Sequence, residues 1–310
     1  CYNFNGKGGR KMLKRRTKGE IVFDTLNNIF MFFIIIAMVY PFLNQIAISL
    51  SDNTSVLAGK VSIWPKGFNT DAYLKLVLDN RFFTVMKNTV WFTVLSTVFS
   101  MILMTVFAYP LSKKYLKGRQ VIMSLMVFSM MFGTGGLIPN YLVVKGLGLV
   151  DNYWGLILPS AFNIWNIIIL KNFFQQIPGE IEESALIDGA SNIKIFAKIM
   201  LPLCLPSLAA ITLFTAVSSW NTFFNALIYI NSPDKKLLQV YLNDILQANT
   251  VPTETATSSM TVTDAAAQGM LNSDTLKAAT LMCATLPILL VYPFVQKYFM
   301  SGLMVGSVKG

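Results

Sequence analysis

Six apolar stretches, each long enough to cross a bilayer, constrain this chain more than any other feature. A membrane-crossing helix needs about 20 mostly apolar residues. The stretches fall at about 26–50, 88–111, 121–141, 154–174, 201–230 and 276–299, and the run Ile29 to Tyr40 is unbroken by any polar residue. Taken singly, the first, fourth and sixth fit core helices of a soluble protein. Six in one chain, with few charges between them, do not. Only 13% of residues are charged and the mean hydropathy is +0.55, where a soluble domain carries roughly 25% charge. The expected fold is an all-α integral membrane protein, a single transmembrane domain over 26–300.

The sequence offers little to catalysis or metal binding. Histidine is absent, which removes the commonest general base and metal ligand. Cys1, Cys204 and Cys283 form no CxxC pair and read as small apolar residues. Residues Gly6 to Lys11 are rich in Gly and basic residues but lack the spacing of a phosphate-binding loop. The chain is expected to hold no metal, no cofactor and no ATPase site of its own, so it is not read as an enzyme.

Basic residues set the orientation. Sixteen of the 25 Lys and Arg lie in the N-terminal tail, the second and fourth loops and the C-terminal end, with six of the 15 acids. That face carries the whole net charge of +10 and is expected to be cytoplasmic, with both termini inside. The basic residues sit beside the membrane in short loops without interleaved aromatics, which suits lipid headgroups and not nucleic acid.

The expected organisation is a basic cytoplasmic tail (1–25), the spans, a cytoplasmic loop between the fourth and fifth spans (175–200), an extracellular loop (231–275) and a cytoplasmic tail (301–310). The external loop 51–87, with Trp64-Pro65, reads as ordered and partly packed. In the last external loop a Thr, Ser and Ala-rich stretch (250–267) reads as a mobile spacer flanked by a short helix near Leu237 to Leu246. Residues before Met12 read as a fragment boundary or an upstream misread start, not as a lipidated N-terminus.

The fourth loop, QQIPGEIEESALIDGASNIKIFAKIMLP over 175–202, is the most informative segment. Pro178 suits a first helical turn, and Glu180, Glu182 and Glu183 follow where a helix N-terminus favours negative charge. Gly189 after Asp188 ends that helix, Ser191 or Asn192 caps the next, and Ile195, Phe196, Ile199 and Met200 share one side. Pro202 marks the return to the membrane. The pattern is a compact helix-turn-helix with an apolar knob and an acidic rim, a handle for a soluble motor. An ordinary solvated loop would not need Pro178, Gly189 and Pro202 at these places.

The run Glu183-Ser184-Ala185-Leu186-Ile187-Asp188-Gly189-Ala190 with Ile199-Met200-Leu201-Pro202 resembles the EAA loop of ABC importer permeases, with Ser184 in place of the first alanine. Residues 146–149, Trp154 to Pro159, Ala108-Tyr109 and Trp220-Asn221 are similar to carbohydrate-type permeases related to the maltose importer. The segments 135–149 and 292–310 resemble the Gram-positive branch for complex oligosaccharides or polysaccharide fragments.

That resemblance implies a type I ABC importer permease in the bacterial cell membrane. It pairs with a second permease, sits on an ABC ATPase dimer that holds ATP and Mg, and receives sugar from an extracellular solute-binding lipoprotein. It also implies that Glu183 caps or pairs at the ATPase surface, that Ala185 and Gly189 allow close approach, that Asp188 orients the turn, and that Leu201-Pro202 fix re-entry into the bilayer.

For the sugar path, Asn163 and Asn166 in the fourth span and Asn221 and Asn225 in the fifth can bond hydroxyls, and Trp165 and Trp220 can stack on sugar faces. Helix–helix hydrogen bonding is the competing reading for each. Two alternatives stay open at this point: an ion-coupled secondary transporter and a non-transporting membrane scaffold. The first is weakened because the second to sixth stretches hold no Asp, Glu or His.

Overall fold

A computed structural model describes residues 18–132, 135–248 and 273–307. Most of the basic tail, the 250–267 spacer and residues 308–310 lie outside the described residues. Among the described residues the secondary structure is helical.

Helix α1 (Lys18–Ser49) is apolar almost throughout and buries only Ala47 and Ser49. An apolar rod with so little protein cover needs a non-aqueous neighbour. It begins at Lys18, eight residues before the expected boundary at 26. At 1.5 Å per residue it is about 48 Å long against a hydrocarbon core of about 30 Å, so its first turns overshoot the apolar layer. Glu20 in the first turn suits that end.

After the short helices α2 (Asn53–Leu57) and α3 (Asp71–Leu78) comes α4 (Asn80–Ser112). Asp79 caps it, accepting from the Arg81 backbone N–H at 2.8 Å, so the helix starts well before the expected 88. Helix α4 is the spine of the molecule. Its Phe82 and Val85 join one core cluster, Phe92 a second, and Met104, Ala108 and Leu111 a third. Thr89, Ser96, Thr97, Ser100 and Thr105 are buried along it, and such small side chains let neighbouring backbones approach. One of those contacts joins the hydroxyls of Ser96 and Ser219 at 3.1 Å.

Three expected spans are broken, not straight. The stretch expected at 121–141 is α5 (Arg119–Phe132) and α6 (Leu137–Gly146), and just before α6 Gly135 and Gly136 have φ of +71° and +90°. The stretch expected at 154–174 is α7 (Trp154–Ser160) and α8 (Ile164–Gln176), inclined by 53°. Asn163 starts α8 afresh, its side chain accepting from the Asn166 N–H at 3.0 Å.

The stretch expected at 201–230 is interrupted twice. Helix α9 (Gly179–Ile187), α10 (Asn192–Ile195), a π-helical turn (Phe196–Met200) and α11 (Leu201–Leu203) lead to α12 (Leu205–Trp220). An 80° corner lies at Cys204, where Pro202 and Pro206 cannot donate to the preceding turn. Helix α12 then stops at Trp220, and α13 (Phe224–Tyr229) is separate.

Helix α14 (Leu238–Ala248) packs beside α4 and α15 (Ser273–Ser307), the last long helix. Its start is tied to the spine, since the Leu238 N–H donates to Thr89 Oγ1 at 2.8 Å in a buried position.

Candidate functional site

The elbow between α8 and α12 is built as its sequence dictates. Pro178 stands before α9 with Glu180 and Glu182 in the first turn. The helix ends in a left-handed glycine: Gly189 has φ +76°, its N–H reaches Leu186 O at 3.0 Å, and the Ala190 N–H reaches Ala185 O at 3.0 Å. This pair of bonds closes the last turn and satisfies carbonyls that would otherwise be orphaned. Ser191 caps α10, accepting from the Lys194 N–H at 3.4 Å.

The apolar side expected to form an outward knob instead faces in. Ile195 and Met200 are fully buried and Phe196 and Ile199 pack against them, in a cluster that includes Met104, Ile167 and Phe174. Ala185 joins the same cluster, where its small size serves the packing of α9 on the helices behind it. The outward knob is Ile187 and Ile193, 86% and 80% exposed. Around them Glu180, Glu183, Ser184, Asp188 and Gly189 are exposed, with Ala190 half-buried. A Cβ at Gly189 would meet nothing within 4 Å. Two exposed isoleucines within an acidic rim form a surface suited to being covered.

Behind the knob the elbow is fastened to the end of α4. The Glu182 carboxylate forms an ion pair with Lys113, both side chains being only about a tenth exposed. Its other oxygen accepts from the Tyr109 hydroxyl at 2.9 Å, and the Lys113 ammonium lies 4.5 Å from the Tyr109 ring centre. Phe196 and Phe174 pack on Tyr109 with centroids 4.8 and 5.7 Å away. The Gln175 amide donates to Ser112 O at 3.1 Å.

Two of the cavities along the described helices have several polar residues in their walls. A groove of about 250 Å³ between α4, α8 and α12 is lined by Ser96, Ser160, Asn163, Asn166, Ser218 and Thr222 among others. A cavity of about 930 Å³ opens beyond the end of α12, with Trp220, Asn221, Asn44, Gln45, Gln239 and Asn243 in its wall. Neither holds a cluster fit for a metal: among the described residues no three His, Cys, Asp or Glu come together.

Residues 89–304 match the family described as the binding-protein-dependent transport system inner membrane component. The chain belongs to this family. It is 44% identical over 296 residues to Protein LplC of Bacillus subtilis, covering 95% of this chain and 97% of that one. It is also 44% identical over 292 residues to the polygalacturonan/rhamnogalacturonan transport system permease protein YtcP of the same organism, covering 93% and 99%. Among solved structures it resembles a chain of a bacterial ABC transporter involved in the import of the acidic polysaccharide alginate. That match has a TM-score of 0.82 at 33% identity and covers 92% of this chain and 99% of that one. The fold is therefore that of a type I ABC importer permease, and the scaffold alternative lapses.

In this inner membrane component the expected path residues separate. Asn163 and Asn166 meet in the groove, and Trp220 and Asn221 in the larger cavity. Trp220 is buried in a core cluster, and Asn221 caps α12 with its amide donating to Val217 O at 3.0 Å. Trp165 is 59% exposed and Asn225 is exposed on α13, and neither lines these cavities. Both belong to short stretches whose outward face could not be read without the bends at 161–163 and 221–223. The hydroxyls of Ser96, Ser160, Ser218 and Thr222 carry no signal in the sequence, because serine and threonine within apolar helices look like packing residues.

Proposed function

We propose that this permease forms, with a second permease chain, the pore of an ATP-driven importer of oligosaccharides. The single observation that carries the reading is the elbow, which turns Ile187 and Ile193 outward while its other face is packed into the helices. A fixed body with an exposed apolar tip suits a grip by a separate ATPase dimer, which would hold ATP and Mg. Glu183 and Asp188 would meet basic groups on that partner, Ser184, Gly189 and Ala190 would allow close approach, and Leu201 and Pro202 would set the corner.

An extracellular solute-binding lipoprotein delivers the sugar from the opposite face, and both termini lie in the cytoplasm with the basic residues. Supporting the sugar assignment are the relative named for polygalacturonan and rhamnogalacturonan transport and the alginate importer. The groove at Asn163 and Asn166 offers hydroxyl and amide groups that can replace the hydration of a sugar, with no charge among the lining residues.

Two experiments test this. The full-length chain, co-expressed with the ATPase subunit, captures it on affinity purification, and I187D or I193D reduces capture at least tenfold at equal membrane insertion. Equal capture by all three would rule out the grip. Cells lacking the gene fail to grow on oligosaccharides from rhamnogalacturonan or polygalacturonan digests but grow on glucose; unaltered growth on every oligosaccharide tried would remove the sugar assignment.

A further inference from the structure

The elbow is joined to the membrane helices in two unlike ways. Toward α4 and α8 the contact is closed and polar at its centre. The Glu182 carboxylate bonds both Lys113 and Tyr109, Lys113 sits over the Tyr109 ring, and Gln175 ties α8 to the last carbonyls of α4. Toward α12 the chain passes through a π-helical turn and then an 80° corner at Cys204. π-turns interrupt the regular ladder and frequently mark functional sites.

Selection among the neighbouring charges is visible. Of the acids at the start of α9, Glu180 and Glu183 are exposed and Glu182 alone is turned in. Of the three lysines after α4, Lys114 and Lys117 are exposed and Lys113 is turned in. A pair of charges drawn out of water costs desolvation unless both partners and their remaining bonds are in place. Loss of either partner therefore loosens the junction more than loss of an exposed pair would.

We propose that Glu182, with Lys113 and Tyr109, is the positioning clamp that makes the elbow as far as Met200, α4 and α8 one rigid body, so that motion imposed on the elbow is resolved at the Cys204 corner into displacement against α12. This rests on the coupling reading above. The clamp transmits force and does not touch the ATPase; Ile187 and Ile193 do.

Spin labels test it in the assembled importer, without knowledge of the sugar. With the native cysteines replaced by alanine, cysteines are placed at Lys117 and Ala197, both exposed, and in a second sample at Ala197 and Phe214. The expected result is one narrow 117–197 distance that is the same with and without ATP, and a 197–214 distance that shifts with ATP. E182Q and K113M broaden the 117–197 distribution at least twofold, K113R keeps it narrow, and the E182Q/K113M double variant is no broader than the worse single one. A narrow distribution in K113M, or K113R as broad as K113M, overturns the clamp. Should E182Q fail to insert, Y109F, which removes one bond, takes its place. If ATP shifts neither distance, the coupling reading fails; the K113M and K113R widths still decide the clamp.

Discussion

Asp151 holds Ser232 across 81 residues of sequence, its Oδ1 accepting the Ser232 backbone N–H at 2.8 Å and its Oδ2 the Ser232 hydroxyl at 2.6 Å. The same carboxylate accepts from the Asn231 N–H at 3.1 Å and pairs with Lys235 at 2.9 Å. Asp151 has φ +61°, a conformation asparagine and aspartate tolerate better than other non-glycine residues. The turn before α7 is thereby pinned to the turn before α14.

These bonds hold the Asp151 carboxyl well below the usual carboxylate range, the Ser232 hydroxyl bond first and Lys235 second. A depressed native pKa means the pinning is fully present above the ordinary value of 3.8 and is lost as pH falls through the lowered value. D151N is expected to raise hydrogen exchange at Asn231 and Ser232 at neutral pH. The wild type should keep those amides protected down to pH 3.8 and lose protection only below it. Equal exchange in the two proteins at neutral pH would show that Asp151 pins nothing.

Gly189 separates strain from clash. Its φ of +76° disfavours any L side chain by roughly 1–2 kcal/mol, yet the space around it is empty. G189V should therefore insert at normal levels, melt only slightly lower and lose uptake. Uptake at wild-type rates in G189V would mean that nothing sits against this turn.

Much of the elbow is legible in the sequence, and the reason is local chemistry: Pro178, Gly189 and Ser191 act on their own neighbours. The long apolar runs are legible for the same reason. The facing of the elbow is not. Ile195 and Met200 look like a knob because a short amphipathic turn does not say which side meets the protein, and only packing against Met104 and Ile167 decides it. Glu182 and Lys113 lie 69 residues apart, so their pairing follows from how α4 and α9 are brought together. The broken spans are intermediate. Pro159 and Asn163 are visible signals, but an apolar run around them outweighs them in a hydropathy reading.

Gly155 shows a close approach that no charge or pattern announces. A Cβ there would stand 2.3 Å from the Leu149 carbonyl oxygen, a backbone atom that cannot swing aside. G155A is expected to cost about 1–3 kcal/mol, as overpacked sites do, read as a lower melting temperature in detergent. G146A, with open space around its Cβ, is the control. Matching melting temperatures for the two variants would refute the contact.

Asn163 can be asked whether it only caps a helix. Serine caps as well as asparagine, whereas alanine loses about 1 kcal/mol. If the amide also meets sugar, N163S should keep the stability of the wild type and raise the KM for uptake severalfold, while N163A lowers stability and raises the KM together. An unchanged KM in N163S would leave Asn163 a cap alone.

The most direct measurement is the side of the membrane on which the elbow lies. A cysteine at Ile193, in a chain whose native cysteines are replaced by alanine, is treated with a membrane-impermeant maleimide in intact cells and in inside-out vesicles. Labelling is expected in the vesicles alone, with protection there when the ATPase subunit is bound. Labelling of Ile193→Cys in intact cells would put the elbow outside, beyond reach of any ATPase, and contradict it.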